Sequence, residues 1–203
     1  TVSAKVAKGQ YNTAYQVLKG ALTFAFVVGT IAAIVVYFGA EFFTATLLKT
    51  PYSVFALKIL GPALVVVAVL GVLRGFFQGL GTMMPSAISQ IIEQIVNAII
   101  SIWAAYVLTG YGKRIGAVLG DPEHYGAAYG AAGGTLGTNL GAVAGLLFVL
   151  FVFFAYMRVF KRRMRRERNV QVDSFSYTMK ILIVTIIPVL LSTTVYNISG
   201  IID

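Results

Sequence analysis

Apolar residues along this chain gather into five long runs separated by short polar breaks, and no stretch keeps the strict alternation of a half-buried strand. The runs are Val17 to Ala40, Val54 to Gly79, Pro85 to Thr109, Ala127 to Phe160 and Tyr177 to Ile202. A helix needs about 20 mainly apolar residues, rising about 1.5 Å each, to cross roughly 30 Å of hydrocarbon. Each run meets that length, so the pattern predicts an all-α membrane protein with five spanning helices, A to E, and no separate soluble domain. Helix D is the longest and has enough residues to tilt or to project beyond the bilayer. Ahead of helix A, the stretch Ala4 to Leu18 mixes Lys5, Lys8 and Gln10 with Val6, Tyr11 and Val17. That mixture predicts an interfacial helix leading into the membrane.

Small residues and prolines mark how the spans pack. Gly126, Gly130 and Gly134 recur every four residues in helix D, and Gly137, Gly141 and Gly145 repeat the interval on a shifted stripe. In lipid, where hydrophobicity does not drive helices together, such stripes allow close backbone approach. Tight packing inside a bundle is therefore expected of them before any ligand contact. Pro62 and Pro188 fall inside helices B and E, where a missing N–H kinks a helix and frees carbonyls that the protein must satisfy.

Helix C is polar on one side. Ser86, Gln90, Glu93, Gln94, Asn97 and Ser101 recur at steps of three and four and so share a face that lipid cannot cover. Glu93 lies roughly 15 Å into this helix, and an ionised group at such depth costs on the order of 3 kcal/mol. Arg74 in helix B is the expected partner, because B and C are joined by the short turn Leu80 to Met84 and run antiparallel. Gln78 lies one turn beyond it. Two readings follow: a buried ion pair that fixes the B to C hairpin, or a hydrated cavity in which Arg74 offers its planar fork to a phosphate while Glu93 tunes or releases it. The candidate substrate-binding or cavity residues are Arg74, Gln78, Gln90, Glu93, Gln94 and Asn97. Thr135, Thr138 and Asn139 in helix D, with Thr193, Thr194 and Asn197 in helix E, are expected to bond between helices.

Charge adds an orientation. At 58% apolar and 11% charged residues, with a mean hydropathy of +0.84, the chain is too apolar to face water over its whole surface. Its net charge of +9 is concentrated beside apolar runs, with six cations in the run Lys161 to Arg168, which fits anionic headgroups and not nucleic acid. With that run placed inside, Lys5, Lys8, Lys19, Arg158, the basic run and Lys180 lie on the cytoplasmic side; only Lys49, Lys58, Lys113 and Arg114 lie outside. Positive residues are retained on the cytoplasmic side, so the N-terminal end and the 161–176 loop are predicted to be cytoplasmic. There is no cysteine, and a single histidine, His124, cannot build a zinc site alone. Asp121, Glu123 and His124 are expected in a solvated outer loop, and no metal, cofactor or enzymatic constellation is predicted. The chain begins at Thr1 in a polar stretch, which reads as a piece of a longer protein.

The run Arg74-Gly75-Phe76-Phe77-Gln78-Gly79, followed by Met84-Pro85-Ser86-Ala87-Ile88-Ser89-Gln90-Ile91-Ile92-Glu93-Gln94, closely resembles the polysaccharide-export branch of the MOP exporter superfamily, its SpoVB- and MurJ-like flippases. The resemblance implies a two-lobe, MATE-like bundle of about fourteen helices with a central cavity, in which A to E look like the third to seventh helices, part of the N-terminal lobe. It also implies a flippase, not an enzyme, that moves a lipid-linked cell-wall or polysaccharide precursor such as undecaprenyl-pyrophosphate-linked lipid II across the bacterial cytoplasmic membrane by alternating access. The implied partners are that lipid-linked saccharide, membrane lipids and the remaining helices of the parent transporter. A MATE-like multidrug or cation antiporter, with Glu93 as the ion-coupling carboxylate, is the alternative on the same architecture.

Overall fold

The computed structural model describes residues 2–47, 51–166, 176–177, 179–181, 183–188 and 191–192. Its elements are α1 (Val2–Ala7), α2 (Tyr11–Phe42), α3 (Val54–Gly79), α4 (Met84–Leu119) and α5 (Pro122–Arg165), with a π-helical turn at Phe43–Leu47 and a 3-10 turn at Pro51–Ser53. Four of these helices, α2 to α5, are long and apolar enough to cross a membrane. The chain is an all-α, multi-pass membrane protein. Helix E, Tyr177 to Ile202, lies largely outside the described residues, as do Thr193, Thr194 and Asn197.

The interfacial stretch is shorter than its composition predicts. Gly9 adopts φ +72°, and the N–H groups of Gly9 and Gln10 bond back to the carbonyls of Val6 and Lys5. That left-handed closure ends α1 after two turns and lets the spanning helix start at Tyr11. Helices C and D are longer than predicted, at 36 and 44 residues. The glycines at 110, 112 and 116 do not break α4, because its last turns lie against the start of α5: a β-carbon at Gly112 would fall 2.5 Å from the Tyr125 carbonyl oxygen. The break comes only at Gly120, with φ +83°. Asp121 then caps α5 through the backbone N–H of His124, and Pro122 opens the helix without losing a donor. Asp121, Glu123 and His124 thus form a helix start, not a loop. At about 54 and 66 Å, α4 and α5 exceed a bilayer core of roughly 30 Å and must tilt or project from it.

The helices stand in the order α2, α3, α5, α4. Helix α5 packs along the length of α4 and also against α3, α2 packs on α3, and α3 touches α4 only near their connecting turn. One end gathers α1, the starts of α2 and α4 and the ends of α3 and α5. There the Asn12 amide donates to the Met164 carbonyl, and the Arg163 guanidinium lies 5.9 Å from the Tyr11 ring. Phe76, Phe77, Met157 and Phe160 are buried beneath it with Ala14 and Leu18.

The α4 to α5 seam is built on glycine, with one change to the predicted stripe. Gly126, Gly130, Gly133, Gly137, Gly141 and Gly145 meet α4, whereas a β-carbon at Gly134 would touch nothing within 4 Å. Asn139 holds α5 to α3: its amide donates to the Ile59 carbonyl at 2.6 Å. The neighbouring Lys58 carbonyl is the one whose helical donor Pro62 lacks, so the bond lands where α3 is weakest. Asn139→Leu is expected to cost about 1 kcal/mol, read as a lower melting temperature in detergent; an unchanged melt would mean α3 needs no support beside Pro62.

Candidate functional site

Near the turn between α3 and α4 a cationic side chain is held by one hydroxyl and one carboxylate. Arg74 extends from α3 and donates through Nε to Ser89 Oγ at 2.8 Å and through Nη2 to Glu93 Oε2 at 2.7 Å. Ser89 Oγ donates in turn to the Ser86 carbonyl at 2.7 Å, and Ser86 Oγ to the Arg74 carbonyl at 3.2 Å. The hairpin forces this meeting. The Gly81 and Thr82 N–H groups close the end of α3 onto Gln78 and Phe77, and Pro85 restarts the chain as a helix in the opposite direction. Ser86, Ser89 and Glu93, at steps of three and four, then line the side of α4 reached by Arg74.

The pair is mostly enclosed. The side chains of Arg74 and Glu93 keep 15% and 20% of their exposure, and Ser86 and Ser89 are buried. Helix α5 supplies the third wall through glycine: a β-carbon at Gly145 would lie 3.3 Å from both Arg74 Nη2 and the Ser89 carbonyl oxygen. A larger residue there would press on the guanidinium. Ser89 and Gly145 are the residues that sequence reasoning missed. Ser89 sits three positions after Ser86 and four before Glu93, a spacing that marks it, whereas nothing in the sequence joins Gly145 to Arg74.

The other predicted residues divide. Asn97 faces α5, where its Oδ1 is 2.7 Å from Ser101 Oγ and 3.4 Å from Thr138 Oγ1. Gln78, Gln90 and Gln94 are exposed. The polar stripe of α4 is therefore partly spent on the α5 seam, and its glutamines flank the Arg74 pair on the open surface. Chemically, a guanidinium has five N–H donors in a planar fork, and the two bonds to Ser89 and Glu93 leave others for an oxyanion. Among the described residues no three His, Asp or Glu side chains gather as a metal would require.

A second polar cluster bolts the opposite end. The Tyr52 hydroxyl donates to Asp121 Oδ2 at 2.8 Å, His124 Nδ1 lies 2.8 Å from Asp121 Oδ1, and the Tyr52 and His124 rings stack at 5.2 Å. The bonds from His124 and then Tyr52 hold the Asp121 carboxyl below its usual range, and the same bond to Asp121 raises the Tyr52 hydroxyl. A lowered carboxyl stabilises the fold above its ordinary value near 3.8 and loses that contribution as pH falls through the folded value. The clasp is thus expected to stay closed at neutral pH and to open only in acid below the ordinary carboxyl range. The chain has no native cysteine, so spin labels at Ser53 and Glu123 can follow it. Their separation should be constant until that range and lengthen below it; lengthening near neutral pH would contradict the assignment to Asp121.

Comparison with known proteins places the chain beside two curated relatives. It is 33% identical over 115 residues, 53% of this chain and 21% of the relative, to the lipid II flippase MurJ of Bacillus subtilis (strain 168). It is 29% identical over 111 residues, 55% of this chain and 21% of the relative, to the stage V sporulation protein B of the same organism. The match thus spans about a fifth of each curated relative. These partial homologies uphold the resemblance to MOP exporter superfamily flippases. No family model and no solved structure matches the chain.

Proposed function

We propose, taking that partial kinship as the premise, that this chain forms part of a flippase moving a lipid-linked cell-wall or polysaccharide precursor across the cytoplasmic membrane. The observation that carries the reading is a guanidinium deep in an apolar protein, held by Glu93 and Ser89 yet not sealed off. The head group of such a precursor is a pyrophosphate bearing sugars, and a fork of N–H donors is suited to its paired oxygens. In this mechanism the phosphate displaces Glu93 from Arg74, and Gln78, Gln90 and Gln94 bond to the sugars. The protein then rocks to present the head group to the far side while the lipid tail stays in the bilayer. Release follows when Glu93 reclaims the guanidinium. No covalent step is needed.

The end bearing α1 and the exposed Lys161, Arg162, Arg163, Arg165 and Arg166 is assigned to the cytoplasm, since cations are retained there. Outward movement of an anionic head group through the membrane potential exchanges about 2.3 kcal/mol per charge per 100 mV, so the cycle couples to an electrical or ionic gradient. The antiporter alternative gains no support from the relatives, which are named for other roles.

Glu93→Gln tests the reading, because the amide keeps an oxygen for Arg74 but not the charge that competes with phosphate. Outer-face exposure of lipid-linked precursor is expected to fall severalfold in cells carrying it at normal abundance. Undiminished exposure would remove Glu93 from the mechanism.

A further inference from the structure

A groove opens on the flank of α4 toward its C-terminal end, away from the basic tail of α5. We propose that it receives the diphosphate-sugar head group of a lipid-linked saccharide after transport, with the lipid tail lying along an exposed isoleucine stripe of the same helix. This inference rests on the transport reading and on the orientation given with it.

The groove has a volume of ≈ 710 Å³, and its lining includes Tyr106, Thr109, Gly110, Tyr111, Lys113 and Arg114. Small-molecule sites run from about 300 to 1,000 Å³, so a sugar-bearing head group suits it where a phosphate alone would leave most of it open. Gly110 forms the floor. It is exposed, a β-carbon there would meet nothing within 4 Å, and Tyr106 and Arg114 stand one helical turn to either side. Lys113 and Arg114 are exposed, no Asp or Glu lines the groove, and neither cation makes an ion pair among the described residues. Helix α5 makes room for the Lys113 stem: a β-carbon at Gly126 would fall 2.7 Å from Lys113 Cγ. Two cations side by side suit an anion with two phosphates, and the tyrosines offer sugars a flat apolar face with a polar tip.

Depth places the groove at the level of the far head groups. Helix α4 starts at Met84, at the end that holds the basic tail, and about 20 residues cross the hydrocarbon, so the core ends near Ala104. Trp103 and Tyr106 are exposed at that level, where amphipathic rings collect. From Tyr106 back through Ile102, Ile99, Ile95 and Ile91, exposed residues follow steps of four and three. This stripe runs for about 22 Å, more than the roughly 15 Å that one leaflet of the hydrocarbon offers. It therefore matches a long polyprenyl tail better than a phospholipid acyl chain. Glu93 is about 26 Å from Gly110 along the helix, so one head group cannot occupy the groove and the Arg74 site together.

The test uses the intact protein in detergent, stripped of lipid, with an environment-sensitive dye at Val118→Cys, an exposed position one turn beyond Arg114. Titration with a farnesyl-diphosphate-linked disaccharide is expected to give a saturable change. Lys113→Gln with Arg114→Gln should weaken it about thirtyfold, the share of two cations near a membrane surface. Gly110→Leu, which fills the floor, should abolish it. An equal response to phosphatidylglycerol at the same concentration would overturn the proposal. So would no response, or one untouched by these variants, which is what a groove covered by another helix would give. Glu93→Gln should leave the titration unchanged. If it also leaves export unchanged, the role of Glu93 falls and the groove stands on its titration; if export falls while the titration is flat, only the groove is struck.

Discussion

Arg74→Leu alone is expected to destabilise the protein by about 3 kcal/mol or more, whereas Arg74→Leu combined with Glu93→Leu should restore most of the loss. The asymmetry follows from burial. With Arg74 gone, Glu93 keeps its negative charge in a site with only a fifth of its side chain exposed, and Ser89 Oγ loses the donor it accepts from. Removing both charges leaves leucines in apolar surroundings, which is often neutral or stabilising when a buried pair is replaced as a unit. Thermal melts in detergent and abundance in membranes would read the difference. Transport should not follow the same rule: if the guanidinium grips phosphate, the double variant is stable and still inactive. A stable double variant with full transport would reduce the pair to a fastening between α3 and α4.

Gly133→Val is the second large effect. A β-carbon at Gly133 would lie 2.6 Å from the carbonyl carbon and oxygen of Ala104 and the N of Ala105, all backbone of α4, which cannot swing aside as a side chain can. Accommodating valine requires α4 and α5 to part along their contact, and overpacking of this kind costs about 3 kcal/mol. Gly134→Ala, one residue on, is the control. Its β-carbon meets nothing within 4 Å, and exchanging glycine for alanine inside a helix is worth about 0.5–1 kcal/mol in its favour. The melting temperature should therefore fall sharply for Gly133→Val and hold or rise for Gly134→Ala. Equal losses would show that a side chain at position 134 also meets α4, as the four-residue interval from Gly126 and Gly130 suggests.

Parts of this architecture were legible beforehand for identifiable reasons. Apolar runs of spanning length predict helices because backbone groups in lipid must be satisfied within the segment. The meeting of Arg74 and Glu93 was legible because two opposite charges at matching distances from one short turn have few other partners. The ends of α4 and α5 were not, because Gly112, Gly116 and the Asp121 to His124 group read as loop material until the partner helix is in place. A glycine that weakens an isolated helix becomes the residue that lets two backbones touch.

By itself the chain's order of residues determined that it is helical, that it spans a membrane, and that its cations are densest in the run Lys161 to Arg168, since these follow from the length, polarity and charge of local segments. Only the tertiary structure decided that a β-carbon would strike α4 at Gly133 and not at Gly134, that Gly145 backs the guanidinium, and that α5 separates most of α3 from α4. Helical periodicity gives the angle of a residue around its own axis, but the direction of the neighbouring helix depends on contacts between residues far apart in the chain. A register of one residue, invisible to composition, then separates a backbone contact from open space.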